Sequence, residues 1–214
     1  MPRVKVCGHT REEDVAGSID AGVDAIGVIA DVPVDTPREV APRRARELLA
    51  AVPPFISCVL VTMPERPEAA LELVDRVEPD ALQIHGGLGV AELDRLSAQL
   101  DIDLVVGTDI EDAALDAIAE IADAILLDSR DEDGSGGTGR THDWARSSAI
   151  VERLETPVVL AGGLTPGNVA EAVRQVKPFA VDVATGVESS GGRKDTEAVQ
   201  RFVSAARRPE AVEA

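Results

Sequence analysis

Short apolar runs, rich in β-branched residues, recur along the whole chain, and an amphipathic stretch follows each of them. The runs are Val4–Val6, Ala25–Ile29, Ile56–Val61, Ala81–Ile84, Leu104–Val106, Ala124–Leu127, Val158–Leu160 and Ala180–Val183. Apolar residues at helical spacing mark the stretches Glu12–Ala21, Arg43–Ala51, Glu68–Val77, Val90–Leu100, Asp112–Ile121, Trp144–Leu154, Gly167–Val176 and Thr196–Ala206. Strands that alternate with helices pair in parallel, because each crossover helix returns the chain to the same end of the sheet.

Eight such units predict a closed (β/α)8 TIM barrel, which is an α/β fold. No change in composition marks a linker, so we expect a single domain over residues 1–208 and a short tail over residues 209–214. An open doubly wound sheet is the alternative, but the nucleotide fingerprint usual in that fold does not follow the first run. The dipeptide Thr165-Pro166 predicts a helix N-cap followed by proline at the first helical position.

The charge of the chain is strongly acidic. Asp and Glu number 39 against 21 Lys and Arg, which gives a formal net charge of −18, and only Lys5, Lys177 and Lys194 are lysines. We expect no nucleic-acid partner, because binding to phosphate backbones needs a basic surface. Instead, the composition resembles that of halophilic proteins, in which concentrated salt screens the repulsion among surface carboxylates.

Neither a membrane segment nor a disulfide framework is evident in the sequence. No run approaches the roughly 20 apolar residues that cross a bilayer, and no signal segment precedes Val4. The two cysteines, Cys7 and Cys58, lack the spacing of a secreted disulfide scaffold, and Cys58 lies within the third run as a core residue. We therefore expect a cytoplasmic protein with no membrane partner, as a monomer or a homodimer.

The residues at the carboxyl ends of barrel strands share one mouth. The predicted strand ends bring together Cys7, the segment Ala30–Arg38, His85, Thr108, Asp128, Gly162-Gly163 and Asp182–Gly186. Glycines let backbone amides approach an anion, and phosphate binding after the last two strands is common in this fold. We therefore expect a phosphorylated small molecule to bind at Gly162, Gly163, Leu164, Thr185 and Gly186. A tight turn with no ligand is the alternative for the glycine pair.

The thiol of Cys7 is the candidate base or nucleophile. It stands where the first strand ends and a helix is about to begin, and the positive end of a helix lowers the pKa of a nearby thiol. We therefore expect thiolate character at Cys7. The alternative is a thiol that only packs in the core as a small hydrophobe.

Six segments appear in order, each at or after the end of a predicted barrel strand. They are Lys5-Val6-Cys7-Gly8-His9-Thr10, Thr36-Pro37-Arg38, Gln83-Ile84-His85-Gly86, Leu127-Asp128-Ser129, Gly136-Gly137-Thr138-Gly139-Arg140-Thr141-His142-Asp143-Trp144 and Asp182-Val183-Ala184-Thr185-Gly186-Val187-Glu188. Over essentially the whole chain, this order resembles the phosphoribosylanthranilate isomerases of tryptophan biosynthesis. The resemblance implies an Amadori rearrangement, an aldose-to-ketose isomerisation of an aminated sugar phosphate, which needs no metal and no organic cofactor.

The rearrangement needs a general acid that opens the sugar ring and a general base that takes a carbon-bound proton. The resemblance makes Cys7 the base and Asp128 the acid. It also implies that Arg38 meets the anthranilate carboxylate, that His85 hydrogen-bonds the substrate, and that Asp182 lines the sugar pocket. Structural alternatives remain open at this point: Asp128 could cap its loop, Arg38 could be solvated, and His85 could be a core histidine.

Some residues depart from the pattern of the family. His9 replaces an aliphatic residue, Ala184-Thr185 replaces paired serines, and Asp31–Asp35 lacks the aromatic residues common after strand two. Since backbone amides can still bind phosphate, we expect altered contacts with intact function. The wall around the anthranilate ring stays unassigned.

Other functions are open. The histidine-pathway aldose–ketose isomerase does the same rearrangement with two aspartates, and strand one here ends in Cys7 instead. Indole-glycerol-phosphate synthase would need a lysine at the mouth, where the few lysines are poorly placed. A non-catalytic barrel that senses a phosphorylated metabolite is a further alternative, against which the pairing of Cys7 with Asp128 argues.

Overall fold

The structure is a computed structural model that describes residues 1–128 and 144–208. The barrel strands are β1 (Arg3–Val6), β2 (Ala25–Ile29), β3 (Ser57–Thr62), β4 (Ala81–Ile84), β5 (Asp103–Thr108), β6 (Ala124–Leu127), β7 (Val158–Leu160) and β8 (Ala180–Val183). Each strand pairs in parallel with the next, and β8 pairs with β1, which closes the barrel. The predicted (β/α)8 barrel is confirmed, and the open sheet is excluded. The tail predicted over residues 209–214 lies outside the described residues.

The helices that connect the strands cover the outside of the barrel. They are α1 (Glu12–Asp20), α2 (Pro42–Leu49), α3 (Pro67–Val77), α4 (Val90–Ser97), α5 (Leu115–Ala119), α6 (Trp144–Arg153), α7 (Val169–Val176) and α8 (Thr196–Arg207). Of the helices in these two described ranges, none combines the length and apolar composition needed to cross a membrane.

Two helices begin later than predicted, because polar side chains hold the preceding residues in turns. Asp112 accepts hydrogen bonds from the N–H of Ala114 and the hydroxyl of Thr108, both at 2.8 Å, so α5 starts only after this turn. The predicted N-cap at Thr165 is wrong as well. The Asn168 side chain accepts the Thr165 N–H at 2.7 Å, and Asn168 itself precedes the first residue of α7.

Side chains alternate between the two faces of each barrel strand. One face packs against the helices in the main apolar core, which includes Val4, Val6, Ile26, Leu60, Leu82 and Val183. The other face belongs to the barrel interior, where Cys7, Val59, Val61 and Ala81 form a separate small cluster. Lys5 and Gln83 lie two residues from Cys7 and Ala81, so these buried polar residues share the interior face.

A short hairpin that the sequence analysis did not predict follows the last barrel strand. A 3-10 turn (Thr185–Val187) leads into the antiparallel strands β9 (Glu188–Ser190) and β10 (Arg193–Lys194). The hairpin returns the chain to the barrel, where the Lys194 side chain is only 1 % exposed. It therefore adds buried charges to the barrel mouth.

Candidate active site

A cavity of about 370 Å³ opens at the carboxyl ends of the strands. All the predicted site residues line it: Cys7, Arg38, His85, Asp128, Gly162, Gly163, Leu164, Asp182, Thr185 and Gly186. The structure thus brings the ten residues together, as parallel strands of one barrel require. Ser129 and the glycine-rich segment Gly136–Asp143, also quoted in the sequence analysis, lie outside the described residues.

The Cys7 thiol lies at the inner end of this cavity. Cys7 is 5 % exposed, packs with Val59 and Val61, and donates its N–H to the Val183 carbonyl at 2.8 Å. The expected lowering of its pKa by a helix N-terminus is wrong, since burial raises the pKa of the Cys7 thiol. The first helix begins only at Glu12, and its first turn is acidic.

A glycine on the neighbouring strand makes room for the thiol. A Cβ at Gly27 would lie 2.9 Å from Cys7 Sγ and 3.1 Å from Cys7 Cα, well inside ordinary contact distance. The Gly27 carbonyl also accepts the N–H of Gly8 at 3.0 Å, which fixes the turn after Cys7. The glycine in the second apolar run therefore positions the thiol.

Two lysines, Lys5 and Lys194, lie buried beside Cys7, and neither is among the residues that line the cavity. Lys5 Nζ donates to Asp182 Oδ1 at 3.0 Å. Lys194 Nζ donates to the Cys7 carbonyl at 2.5 Å and to Glu188 Oε1 at 2.8 Å. Burial raises the pKa of the Cys7 thiol, and the negative charge of Asp182 raises it further. The positive charges of Lys5 and Lys194 lower that pKa.

Arg38 is held by an internal carboxylate. Its Nε and Nη2 donate to the two oxygens of Glu188 at 3.0 and 2.8 Å, and Nη2 also donates to the Thr185 hydroxyl at 3.1 Å. Burial by itself raises the pKa of Glu188, but hydrogen bonds from Arg38 and Lys194 bring it below its usual range. One edge of the guanidinium is thus occupied, while Nη1 makes no hydrogen bond to the described part of the chain.

Asp128 and His85 form a pair at another side of the cavity. His85 Nε2 lies 3.3 Å from Asp128 Oδ2, and the two side chains are 23 % and 20 % exposed. A Cβ at Gly107 would lie 2.6 Å from His85 Nδ1, so this glycine of β5 makes room for the imidazole. His85 is therefore a residue of the site and not a core histidine.

The loops after β7 and β8 offer donors to an anion. The N–H groups of Gly163 and Leu164 make no hydrogen bond within the described residues. The Asn168 side chain donates to the Gly163 carbonyl at 2.9 Å, which fixes the first loop. Across the mouth, the Thr185 hydroxyl accepts from Arg38 and leaves its own proton available.

One wall of the cavity is aliphatic. Val32 and Val34 from the loop after β2, with Ile29, Val61 and Met63, line it on the strand-two and strand-three side. These side chains form the apolar wall on the side where the segment Asp31–Asp35 lacks aromatic residues. The wall offers apolar contact without ring stacking.

A buried amide also faces the cavity. Gln83 lies at its edge, is 3 % exposed, and its Oε1 has no hydrogen-bond partner among the residues that the structure describes. A buried acceptor without a partner is costly, so this oxygen suits a ligand hydroxyl.

His9 is buried, and Cys58 is partly buried against the apolar core. The His9 ring nitrogens contact the Gly27 carbonyl at 3.2 Å and the Ser18 hydroxyl at 2.9 Å, and burial lowers the pKa of His9 to about 4. Cys58 donates to the Leu49 carbonyl at 3.5 Å, and burial raises its pKa to about 12. In residues 1–128 and 144–208, no three His, Cys, Asp or Glu side chains form a group that could hold a metal ion.

Comparison with known proteins identifies the family. The family model described as N-(5'-phosphoribosyl)anthranilate isomerase matches residues 4–205. The chain belongs to the phosphoribosylanthranilate isomerase family. The enzyme of this name from Natronomonas pharaonis is 55 % identical over 206 residues, which cover 96 % of this chain and 98 % of the relative. The one from Haloferax volcanii is 53 % identical over 208 residues, with 97 % and 94 % covered. Such halophilic relatives support the predicted salt adaptation.

Solved structures of the family share the fold. Phosphoribosyl anthranilate isomerase from Thermotoga maritima superposes with a TM-score of 0.85 at 33 % identity, covering 97 % of this chain and 99 % of that one. Another structure holds reduced 1-(o-carboxyphenylamino)-1-deoxyribulose 5-phosphate, with a TM-score of 0.81 at 32 % identity and the same coverage. The resemblance drawn from the six segments is confirmed. Family membership also argues against indole-glycerol-phosphate synthase.

Six residues that shape the site or face its cavity were not predicted as site residues from the sequence. They are Lys5, Gly27, Gln83, Gly107, Glu188 and Lys194. The sequence holds a weak indication for two kinds of these residues. A lysine in an otherwise apolar strand and a glycine inside an apolar run are both unusual and point to a specific role. The role of Lys194 depends on the hairpin, for which the sequence held no clear signal.

Proposed function

We propose that this chain catalyses the Amadori rearrangement of N-(5-phosphoribosyl)anthranilate to 1-(2-carboxyphenylamino)-1-deoxyribulose 5-phosphate, a step of tryptophan biosynthesis. The observation that carries the proposal is one cavity lined by a buried thiol, a carboxyl beside an imidazole, an arginine and two anion-binding loops. Family membership supports the same activity class, an aldose–ketose isomerase.

The two proton transfers fall to Asp128 and Cys7. Asp128 gives a proton to the ring oxygen, the C1–O bond breaks, and an iminium forms at C1. The Cys7 thiolate then removes the C2 proton, and the electron pair forms an enolamine that tautomerises to the C2 ketone as C1 gains a proton. The proton taken by Cys7 then passes to solvent while Asp128, whose Oδ2 lies 3.3 Å from His85 Nε2, takes one up, so that both groups regain their starting states.

The remaining groups bind the two ends of the substrate. The phosphate lies on Gly163, Leu164, Thr185 and Gly186, at the commonest phosphate position of the fold. The anthranilate carboxylate meets the free edge of Arg38, while the aliphatic wall packs against the aromatic ring.

Local charge explains how an anion enters a protein whose net charge is −18. Arg38, Lys5 and Lys194 bring three cations to the site, against the carboxylates of Glu188 and Asp182. Together with Cys7, these five groups sum to one positive charge while Cys7 is a thiol, and to zero once Cys7 is a thiolate. At molar salt, the distant surface carboxylates are screened beyond about 3 Å, so the near groups dominate.

Location and assembly stay predictions. The cytoplasm suits a pathway enzyme with two unpaired cysteines. A dimeric form is known for the Thermotoga maritima enzyme, and a monomer or homodimer is expected here.

Site-directed variants test the assignment of the acid and the base. Cys7→Ser and Asp128→Asn should each lower turnover of phosphoribosylanthranilate by about 10²–10⁴-fold, the usual contribution of a positioned acid or base. Cys58→Ser is the matched control and should keep normal turnover, because Cys58 is the other cysteine of the chain and does not line the cavity. Near-normal turnover by the Cys7 or the Asp128 variant at saturating substrate would overturn that assignment.

A further inference from the structure

Lys5 is a buried ammonium that the reaction above does not use. It stands two residues before Cys7 on the first strand, so both side chains face the barrel interior. Its side chain is 9 % exposed, and it donates to Asp182, its register partner on β8, at 3.0 Å. A buried lysine costs free energy of desolvation, and one carboxylate satisfies only one of its three N–H donors.

The sulfur of Cys7 is the second group that Lys5 meets. Lys5 and Cys7 lie two positions apart on the interior side of the first strand, so the buried ammonium acts on the sulfur through its charge. Burial alone would lower the pKa of Lys5, but the charges of Asp182 and Cys7 outweigh it and raise that pKa, so Lys5 stays cationic. The same cation stabilises a negative sulfur.

We infer that Lys5 is the counter-ion of the Cys7 thiolate, and that it makes this buried thiol usable as a base. The inference rests on the proposed role of Cys7. Lys5 is a positioning residue, because it acts through the sulfur and not on the substrate. The charged groups that face Cys7 are Lys5 from β1, Asp182 from β8 and Lys194 from β10. The two lysines favour the thiolate, and Asp182 opposes it.

Titration of the thiol tests this directly. The chain has no tyrosine, so the ultraviolet band of the thiolate is free of tyrosinate, and Cys58→Ser removes the other thiol. In that background, Lys5→Met should raise the titration midpoint of Cys7 by about one pH unit or more, the usual effect of an opposite charge in contact. Lys177→Met, at an exposed lysine, is the matched control and should leave the midpoint unchanged.

Asp182→Asn gives a second test of opposite sign. It keeps Lys5 and removes the negative charge, so the midpoint should fall. Alkylation of Cys7 by iodoacetamide at pH 8 should correspondingly slow by about tenfold in Lys5→Met and quicken in Asp182→Asn. An unchanged or lower midpoint in a folded Lys5→Met protein overturns the inference. If Lys5→Met does not fold, an unchanged or higher midpoint in Asp182→Asn overturns it.

The result of the titration can be distinguished from a failure of the proposed function. The titration measures the thiol, not turnover. If Cys7 were not the base, Cys7→Ser would turn over normally while the midpoint shift in Lys5→Met persisted. If Lys5 were only structural, Cys7→Ser would be inactive while the midpoint stayed constant.

Discussion

Replacing Gly27 with alanine should damage catalysis more than folding. The new Cβ would lie 2.9 Å from Cys7 Sγ and 3.1 Å from Cys7 Cα. Ordinary contacts between heavy atoms lie at about 3.5–4.0 Å, so Cys7 must shift by roughly 0.6–1 Å. Overpacking of this kind costs about 1–3 kcal/mol of stability. A displacement of about 1 Å in a reacting group costs about 10²-fold in rate, so kcat should fall by that order in Gly27→Ala.

The assay is the decay of phosphoribosylanthranilate fluorescence at saturating substrate in molar KCl, with inhibition by inorganic phosphate measured alongside. The phosphate inhibition constant should stay constant in Gly27→Ala, because the anion-binding loops lie after other strands. Gly167→Ala is the matched control, since its Cβ would lie 3.7 Å from Thr165 Oγ1, an ordinary contact. A folded Gly27→Ala protein with near-normal kcat would refute the reasoning that this glycine positions the thiol.

Three further predictions concern binding, pH and salt. Arg38→Ala should raise KM more than it lowers kcat in steady-state kinetics, because the arginine binds the carboxylate in ground and transition states alike. A fall in kcat with an unchanged KM would contradict this prediction. Burial lowers the pKa of His9 from its usual 6.5 to about 4, so its contribution to stability is complete above pH 6.5 and is lost as pH falls through 4. This loss, about 3 kcal/mol by linkage, should be absent in His9→Gln, as denaturant unfolding at pH 7 and pH 4 measures. Finally, Tm should rise steeply between about 0.1 and 1 M KCl, where the Debye length falls from about 10 to about 3 Å, and a flat Tm would refute the halophilic interpretation.

Topology explains why the sequence alone located the cavity. Once eight parallel strands are inferred, the residues that end them must meet at one mouth, whatever the side chains do. Cys7, Asp128 and Arg38 could therefore be placed together without any knowledge of packing. The same argument placed the glycine pair Gly162-Gly163 after the seventh strand.

Properties that depend on packing escaped the sequence. Burial raises the pKa of the Cys7 thiol, and burial depends on packing around the whole barrel, which the residues next to Cys7 in the sequence do not reveal. The length of α5 is set by the turn at Asp112, whose side chain competes with the helix for backbone N–H groups. Lys194 reaches Cys7 only through the hairpin after the barrel, a contact between residues 187 positions apart.

The most direct test of the account is the wild-type protein with its proposed substrate. Purified protein in molar KCl is mixed with phosphoribosylanthranilate generated in place, and the loss of its fluorescence is followed while the product is identified by chromatography. The account predicts a loss that scales with protein concentration and yields 1-(2-carboxyphenylamino)-1-deoxyribulose 5-phosphate. A folded protein that leaves the fluorescence unchanged beyond the spontaneous decay would contradict it.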